Sequence, residues 1–199
     1  MAECVDRIIT EEKSTLLSQL VLRIEKEEED VHRRANGIVI CKADWDNLPP
    51  DVSSITVKRC NEYEKELNLS RFRDLESVKI EENCFPRVRR VRIEGLSKLK
   101  RIEIGSGCFK CEREEAALLV KDCSGLTELR IGDYAFSSFG VLQLNNLPSL
   151  EHMEIGKDCF KNAVFIVGGF DSLVSICLFS SAFENARHTV IEGGCLARE

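Results

Sequence analysis

Short segments in which apolar and polar residues alternate recur along most of this chain. One segment follows the pattern L-x-x-[VILM]-x-I, and its leading leucines are Leu75, Leu99, Leu126, Leu150 and Leu173. Such alternation predicts a strand with one buried face. A second extended segment precedes the first by about eight residues. Its apolar pairs are Leu67 and Leu69, Val91 and Ile93, Leu118 and Val120, Leu142 and Leu144, and Phe165 and Val167.

A six-residue phrase follows each strand of the first kind. It reads "IGSGCF" at 104–109, "IGDYAF" at 131–136 and "IGKDCF" at 155–160, with weaker copies "IEENCF" at 80–85 and "LFSSAF" at 178–183. The five phenylalanines are 24, 27, 24 and 23 residues apart. Recurrence at a nearly fixed period predicts a repeat protein, and the longer interval predicts a loop insertion in "KCEREEAA".

Each letter of the phrase has a predicted structural role. The isoleucine points into the core, and the glycine follows where the chain turns off the sheet, because glycine permits backbone angles that other residues resist. Cysteine exchanges with alanine at the fifth position, which indicates a small buried apolar site. The phenylalanine stacks on its equivalent in the next coil, so no coil buries it alone.

The repeat extends in both directions. Val52, Ile55 and Val57 match the first segment one unit earlier, with Tyr63 close to the place of the phenylalanine. "GIVIC" at 37–41 is interpreted as the preceding segment, and "HTVIEGGCL" as a final half-unit. The sequence thus predicts about five and a half units within residues 36–199.

Residues 1–35 have no β pattern. Leu16, Leu20 and Ile24, with Leu17 and Val21 beside them, form an apolar helical stripe, and the acidic run "EKEEED" follows. The main interpretation is a helix that caps the first repeat, since solenoid ends need covering. A helix that pairs with a partner helix or with its own copy, and a disordered segment, are the alternatives.

The motif L-x-x-L-x-I-G-x-x-A/C-F, with "LTELRIGDYAF" at 126–136, resembles the BspA-like branch of leucine-rich repeats. The resemblance covers about 37–196. It implies a leucine-rich-repeat solenoid, α/β or mainly β, with two short extended segments per coil, a parallel sheet and binding roles in adhesion or interaction. Two departures exist: "NNLPSL" and "EGLSKL" replace a shorter I-P segment, and the secretion signal of many bacterial members is missing.

Composition narrows the choice of function. The chain has 199 residues, 31% of them charged, and a net charge of −6, which disfavours a general nucleic-acid or membrane binder. No run of about 18 apolar residues and no signal peptide is recognised, so a cytoplasmic protein is expected. Most of the ten cysteines are therefore interpreted as reduced core residues.

Two outward columns of the first strands carry the candidate binding site. One column is Lys79, Glu103, Arg130, Glu154 and Cys177, and the other is Ser77, Arg101, Glu128, His152 and Ser175. Opposite charges on neighbouring strands predict a ladder of ion pairs, because strands lie about 4.8 Å apart. The same polar face is the hypothetical partner surface, centred on Arg101, Glu103, Glu128, Arg130, His152 and Glu154.

A basic cluster spans Arg71 to Arg101, with ten cations against five anions. Its centre is a hypothetical basic patch of Arg87, Arg89, Arg90 and Arg92. The patch is interpreted as a solvated face, as a dock for the acidic "EKEEED" segment, or as a site for an acidic partner or a nucleic-acid backbone.

Catalytic and metal sites are not predicted. Cys108 and Cys111 form C-F-K-C, but a zinc site needs a second pair at suitable spacing. No P-loop, G-x-S-x-G or G-x-G-x-x-G is present, and no histidine has a convincing nucleophile nearby in sequence.

The sequence therefore predicts a non-catalytic protein–protein interaction scaffold without cofactor, metal or membrane span, either a monomer or a helix-mediated homodimer. The alternatives are a surface or secreted adhesion module of BspA-like type, and a weak nucleic-acid or acidic-partner binder that uses the basic cluster.

Overall fold

The computed structural model describes residues 2–35, 37–40, 42–59, 65–111, 115–186 and 188–192. Two helices and thirteen strands follow one another along the chain. They are α1 (Ala2–Ala35), β1 (Ile38–Val39), α2 (Lys42–Asp46), β2 (Ser54–Val57), β3 (Glu66–Asn68), β4 (Ser77–Ile80), β5 (Arg90–Glu94), β6 (Arg101–Ile104), β7 (Ala117–Lys121), β8 (Glu128–Ile131), β9 (Val141–Asn145), β10 (His152–Ile155), β11 (Val164–Gly168), β12 (Ser175–Leu178) and β13 (His188–Glu192).

The strands form two parallel sheets of a β-solenoid with about five turns. The first sheet has the order β1-β2-β4-β6-β8-β10-β12, and the second has the order β3-β5-β7-β9-β11-β13. Alternating apolar residues explain this arrangement, because each strand turns one face inward toward the other sheet. Both predicted kinds of extended segment, and the parallel sheet, are confirmed.

Stacked side chains from successive coils fill the space between the sheets. The phenylalanine rings of the phrase form a column in which successive ring centres are 5.3, 4.6, 5.1 and 5.7 Å apart. Phe85, Phe109, Phe136 and Phe160 are fully buried, and Phe183 in the last coil is half-buried. The predicted stacking is therefore confirmed, and it makes every coil depend on its neighbours.

Close packing, not an unusual turn, explains the glycines of the phrase. Gly105, Gly132 and Gly156 do not have positive φ, so the predicted reason for glycine is wrong. A Cβ at Gly156 would lie 2.6 Å from the Asp133 backbone nitrogen of the preceding coil, closer than real contacts permit. The phenylalanine of the phrase instead takes the left-handed conformation, with a φ of 54° at Phe136.

The first coil differs from the others. β1 pairs in parallel with β2, so "GIVIC" belongs to the first sheet. The short helix α2 then occupies the part of the coil in which later coils have a strand of the second sheet. Trp45 of α2 is buried and packs edge-on against Phe72, with ring centres 5.5 Å apart. Tyr63 lies outside the described residues.

The long helix α1 does not cap the core with its apolar stripe. Leu16, Leu17, Leu20, Val21 and Ile24 are between 46% and 64% exposed. The predicted helix is present, but its interpretation as a cap through this stripe is wrong. The apolar residues that cover the first coil come from α2 and the turn after it instead.

The last coil leaves apolar residues uncovered at the other end. Ile176 and Leu178 of β12 are exposed, although their register partners Met153 and Ile155 are buried. The reason is that no described strand of the first sheet follows β12. β13 pairs only with β11 in the second sheet, as expected for a final half-unit.

Candidate functional site

The outward columns of the first sheet are in the register that the sequence predicts. Arg101 lies beside Glu128, which lies beside His152, and Glu103, Arg130 and Glu154 form the neighbouring column. All six residues of the hypothetical partner surface therefore lie on β6, β8 and β10. We call this surface the strand face.

Charged side chains on the strand face pair with one another across the strands. Lys79 Nζ lies 2.7 Å from Glu103 Oε1, and Arg101 Nε lies 2.6 Å from Glu128 Oε2. Arg130 contacts the other oxygen of Glu128 and lies 3.9 Å from Glu154. The predicted ladder is confirmed for the rungs Lys79–Glu103, Arg101–Glu128 and Arg130–Glu154, whereas the contact of Arg130 with Glu128 lies within β8. Glu128 is its centre, since its side chain is only 13% exposed.

A groove with a volume of about 840 Å³ runs along the carboxyl ends of these strands. Its lining includes Glu103, Arg130 and Glu154, with Gly105 and Gly132 where the strands turn away. Carboxylates, a guanidinium and glycine backbone are thus open to a partner in one depression. Arg101, Glu128 and His152 lie two residues earlier along the strands, outside the groove lining.

His152 belongs to the hydrogen-bonding part of the strand face. Its Nδ1 lies 2.9 Å from the Ser175 hydroxyl oxygen on β12, and its Nε2 lies 4.0 Å from Glu151. The imidazole is therefore positioned by polar neighbours on two sides. At 4.0 Å, the Glu151 carboxylate lies beyond hydrogen-bond distance of Nε2.

The hypothetical basic patch lies elsewhere, on and beside the second sheet. Arg90 and Arg92 belong to β5, and Arg87 and Arg89 lie in the turn that leads into it. Arg92 Nε is 3.0 Å from Glu66 Oε1 on β3. The basic patch and the strand face are consequently on different sheets.

Much of the wider basic cluster is engaged within the protein. Lys98 and Lys100 contact Asp74 and Glu76 at 2.5 and 2.8 Å. Hydrogen bonding to Lys100 lowers the pKa of Glu76, and hydrogen bonding to Asp74 raises the pKa of Lys98. The Arg71 guanidinium lies 4.5 Å from the Phe72 ring centre. These contacts engage Arg71, Lys98 and Lys100 within the protein and leave the balance of ten cations against five anions unchanged.

The cysteines at 108, 111, 123, 159 and 177 form no disulfide. The buried Cys108 thiol donates to the Glu81 carbonyl oxygen at 3.0 Å, and the Cys159 thiol donates to the Gly132 carbonyl oxygen at 3.2 Å. Burial raises the pKa of Cys159 to about 12 and also raises the pKa of Cys123. These thiols are therefore core residues that stay protonated at neutral pH. Among the described side chains, no three cysteine, histidine or acidic residues form a group that could hold a metal ion.

The outer face of the second sheet carries a feature that we did not predict from the sequence. Its apolar residues on β7, β9 and β11 are all half-buried: Ala117, Leu119, Val141, Val164 and Ile166. We call this surface the aliphatic patch. The signal was present in "ALLV" and "VFIV", where apolar runs replace alternation, as is typical of strands covered on both faces.

Comparison with protein families, with curated proteins and with solved structures gave no match. In the described part of the chain, no helix combines the length and the apolar character that a membrane span requires.

Proposed function

We propose that the protein is a non-catalytic interaction scaffold that binds a protein partner along the strand face. The observation that carries the proposal is the open groove lined by Glu103, Arg130, Glu154 and the glycine corners. Charges of both signs suit a polypeptide, which presents both signs, better than they suit a polyanion such as nucleic acid.

Rigidity supports this use of the strand face. Each charged side chain projects from a strand that is hydrogen-bonded on both sides, as β8 is between β6 and β10. A surface fixed in this way loses little conformational entropy on binding, which favours affinity. Gly105 and Gly132 line the groove with backbone that is packed against the preceding coil, so this part of the lining is also fixed.

The resemblance of "LTELRIGDYAF" to BspA-like leucine-rich repeats supports a binding role in the same direction. The thiols of Cys108, Cys123 and Cys159 form no disulfide, which supports a reducing compartment, since oxidising compartments favour disulfides. We infer a cytoplasmic scaffold and not a surface adhesion module.

A paired charge reversal tests the site. In Arg101→Glu, Glu128→Arg, Arg130→Glu and Glu154→Arg combined, the observed ion pairs among these four residues keep opposite charges, whereas the pattern presented to a partner is inverted. The matched control is Asp74→Lys with Lys98→Asp, which reverses an ion pair between turns of neighbouring coils, outside the strand face and the basic patch. Affinity capture from native lysate and mass spectrometry compare both variants with the unchanged chain.

We expect a partner that the unchanged chain and the control retain and that the strand-face variant loses. Circular dichroism and a thermal melt establish that the variants are folded. A partner that all three retain equally would exclude the strand face as its site.

A further inference from the structure

Besides the exposed residues of β12, two surfaces of the described chain present apolar side chains to solvent. The first is the stripe on α1, where Leu20 and Ile24 are each 53% exposed. Glu27 and Glu28 continue this stripe toward the end of the helix, because residues seven and eight positions beyond Leu20 lie on the same face. From Leu20 to Glu28 the face is therefore apolar first and acidic afterwards, with Glu27 also 3.4 Å from Arg23 of the same helix and the exposed Val31 beyond it.

The second surface is the aliphatic patch, and it has the same two-part character. Gln143 is the one polar side chain in the first two outward columns of β7, β9 and β11, and the third outward column carries Lys121, Asn145 and Gly168. On the adjacent strand, Arg90 and Arg92 occupy the same columns, opposite Ala117 and Leu119. From β11 toward β5, this face is therefore apolar on β11, β9 and β7 and basic on β5.

The distance between the apolar part and the charged part is similar on the two surfaces. From Leu20 to Glu27 and Glu28 a helix rises about 11 Å, at about 1.5 Å per residue. From β9 to β5 there are two strand spacings, or about 10 Å. A helix that crosses the second sheet with Leu20 above β9 thus brings Glu27 and Glu28 above Arg90 and Arg92.

The helix of the same chain does not reach its own patch. Only residues 36 and 37 separate α1 from β1, so the three Cα–Cα steps from residue 35 to residue 38 span at most about 11 Å. β1 belongs to the first sheet, and stacked sheets are about 10 Å apart before the helix itself is added. The occupant that fits is a second copy.

Pairing of the two stripes with each other fits less well. In a parallel, in-register pair of α1 helices, Glu27 of one copy would face Glu27 of the other, close to the apolar contacts of Leu20 and Ile24. Like charges at such positions are destabilising. On the second sheet, the same carboxylates meet arginines.

We propose that α1 of one copy docks across the aliphatic patch of a second copy, with its acidic end over the basic patch. Reciprocal exchange of the helices closes a two-fold dimer. This interface lies on the second sheet and is independent of the strand face proposed for the partner.

Sedimentation equilibrium of the full chain over a range of concentrations tests the dimer. We expect Leu20→Asp with Ile24→Asp, and separately Leu119→Asp with Ile166→Asp, to produce monomers. Leu22→Asp is the matched control, since Leu22 is 65% exposed on the opposite side of the helix. The control should dimerise like the unchanged chain.

If the Leu119 and Ile166 variant does not fold, exchanging the charges between the acidic end of α1 and the basic patch still tests the proposal. Glu27→Arg with Glu28→Arg, and separately Arg87→Glu with Arg90→Glu, should each weaken the dimer about tenfold or more. All four substitutions in one chain should restore its dissociation constant to within about threefold.

Three results would overturn the proposal. They are a monomer at every concentration, a dimer that survives Leu20→Asp with Ile24→Asp, and a dimer that the helix variants abolish while the Arg87 and Arg90 variant leaves it unchanged. The last result would identify helix–helix pairing instead.

Discussion

The coils that carry the six-residue phrase turn their corners on a phenylalanine in a backbone conformation that bulky residues seldom adopt. The φ angle is 56° at Phe109, 54° at Phe136 and 49° at Phe160. This conformation costs about 1–2 kcal/mol per residue. Full burial of the ring stabilises by about 1.5–3 kcal/mol, and stacking adds about 0.5–1.5 kcal/mol. Burial and stacking outweigh the strain, so phenylalanine is retained at positions where glycine would adopt the same φ angle without strain.

The glycine of the phrase is sensitive for a different reason. We expect Gly156→Ala to lower the free energy of unfolding by about 1–3 kcal/mol, because its Cβ would press on the backbone of the preceding coil at Asp133. Urea denaturation followed by circular dichroism measures the change.

Asn162→Ala, at an exposed turn position of the same coil, is the control and should change the free energy of unfolding by less than about 0.5 kcal/mol. Equal stability of the Gly156 variant and the unchanged chain would show that the coils can separate to admit a methyl group.

The ion pairs of the strand face contribute unequally to the stability of the protein. Glu128 contacts both Arg101 and Arg130 and is largely covered, whereas Glu154 lies 3.9 Å from Arg130 and is 46% exposed. Exposed pairs contribute about 0–1 kcal/mol, and hydrogen bonds to charged groups that are less exposed contribute about 1.5–3 kcal/mol. The stabilising effect of the ladder is therefore concentrated on β8.

We expect Glu128→Gln to lower the free energy of unfolding by about 1–2 kcal/mol in low salt, because it removes the carboxylate charge between two arginines. Urea denaturation at low salt and at about 1 M salt measures the effect, which should become smaller as salt screens the charges.

Glu154→Gln, on the neighbouring strand, should have an effect below about 0.5 kcal/mol under both conditions. If the two substitutions had equal effects, the inequality within the ladder would be wrong.

The strands and their register were predictable because alternation and the phenylalanine column fix both at once. A shift by one residue would turn Ile102 and Ile104 outward, so the inward set admits one pairing. The first coil was not predictable, since the replacement of a strand by α2 depends on how Trp45 packs against Phe72. The aliphatic patch was not predicted, because alternation identifies the inward face of the second strands but does not reveal what covers their outward face.

Across the whole molecule, the two ends of the core differ. Trp45 and Leu48 are buried at the first coil, whereas Ile176 and Leu178 are exposed at the last. Stability in a solenoid is close to a sum of coil and nearest-neighbour contributions. The coils around β6, β8 and β10, which have neighbours on both sides, therefore hold the fold together most strongly.

Because of the buried thiols, the free energy of unfolding should decrease as the pH rises into the alkaline range. In the unfolded chain a thiol ionises near its ordinary pKa of 9.0, whereas the folded protein holds the pKa of Cys159 at about 12. Below about pH 9 both states keep the proton, and above it the unfolded state loses the proton first. We expect the urea midpoint to fall between pH 8 and pH 10.

Cys159→Ala is the matched variant, because Ala135 occupies the same position one coil earlier. It should fold at pH 8 and lose less stability than the unchanged chain as the pH rises. An identical pH dependence for both chains would exclude Cys159 as a contributor.

The corner of each coil has a consequence for how such a chain evolves. Gly156 approaches the corner at Asp133, and Gly132 approaches the corner at Ser106 in the same manner. Every central coil thus presents an equivalent surface to the next. An in-frame duplication or deletion of one coil in the genome would therefore recreate an existing junction instead of requiring a new one, and the length of the solenoid can change in whole steps under selection while its cross-section is preserved.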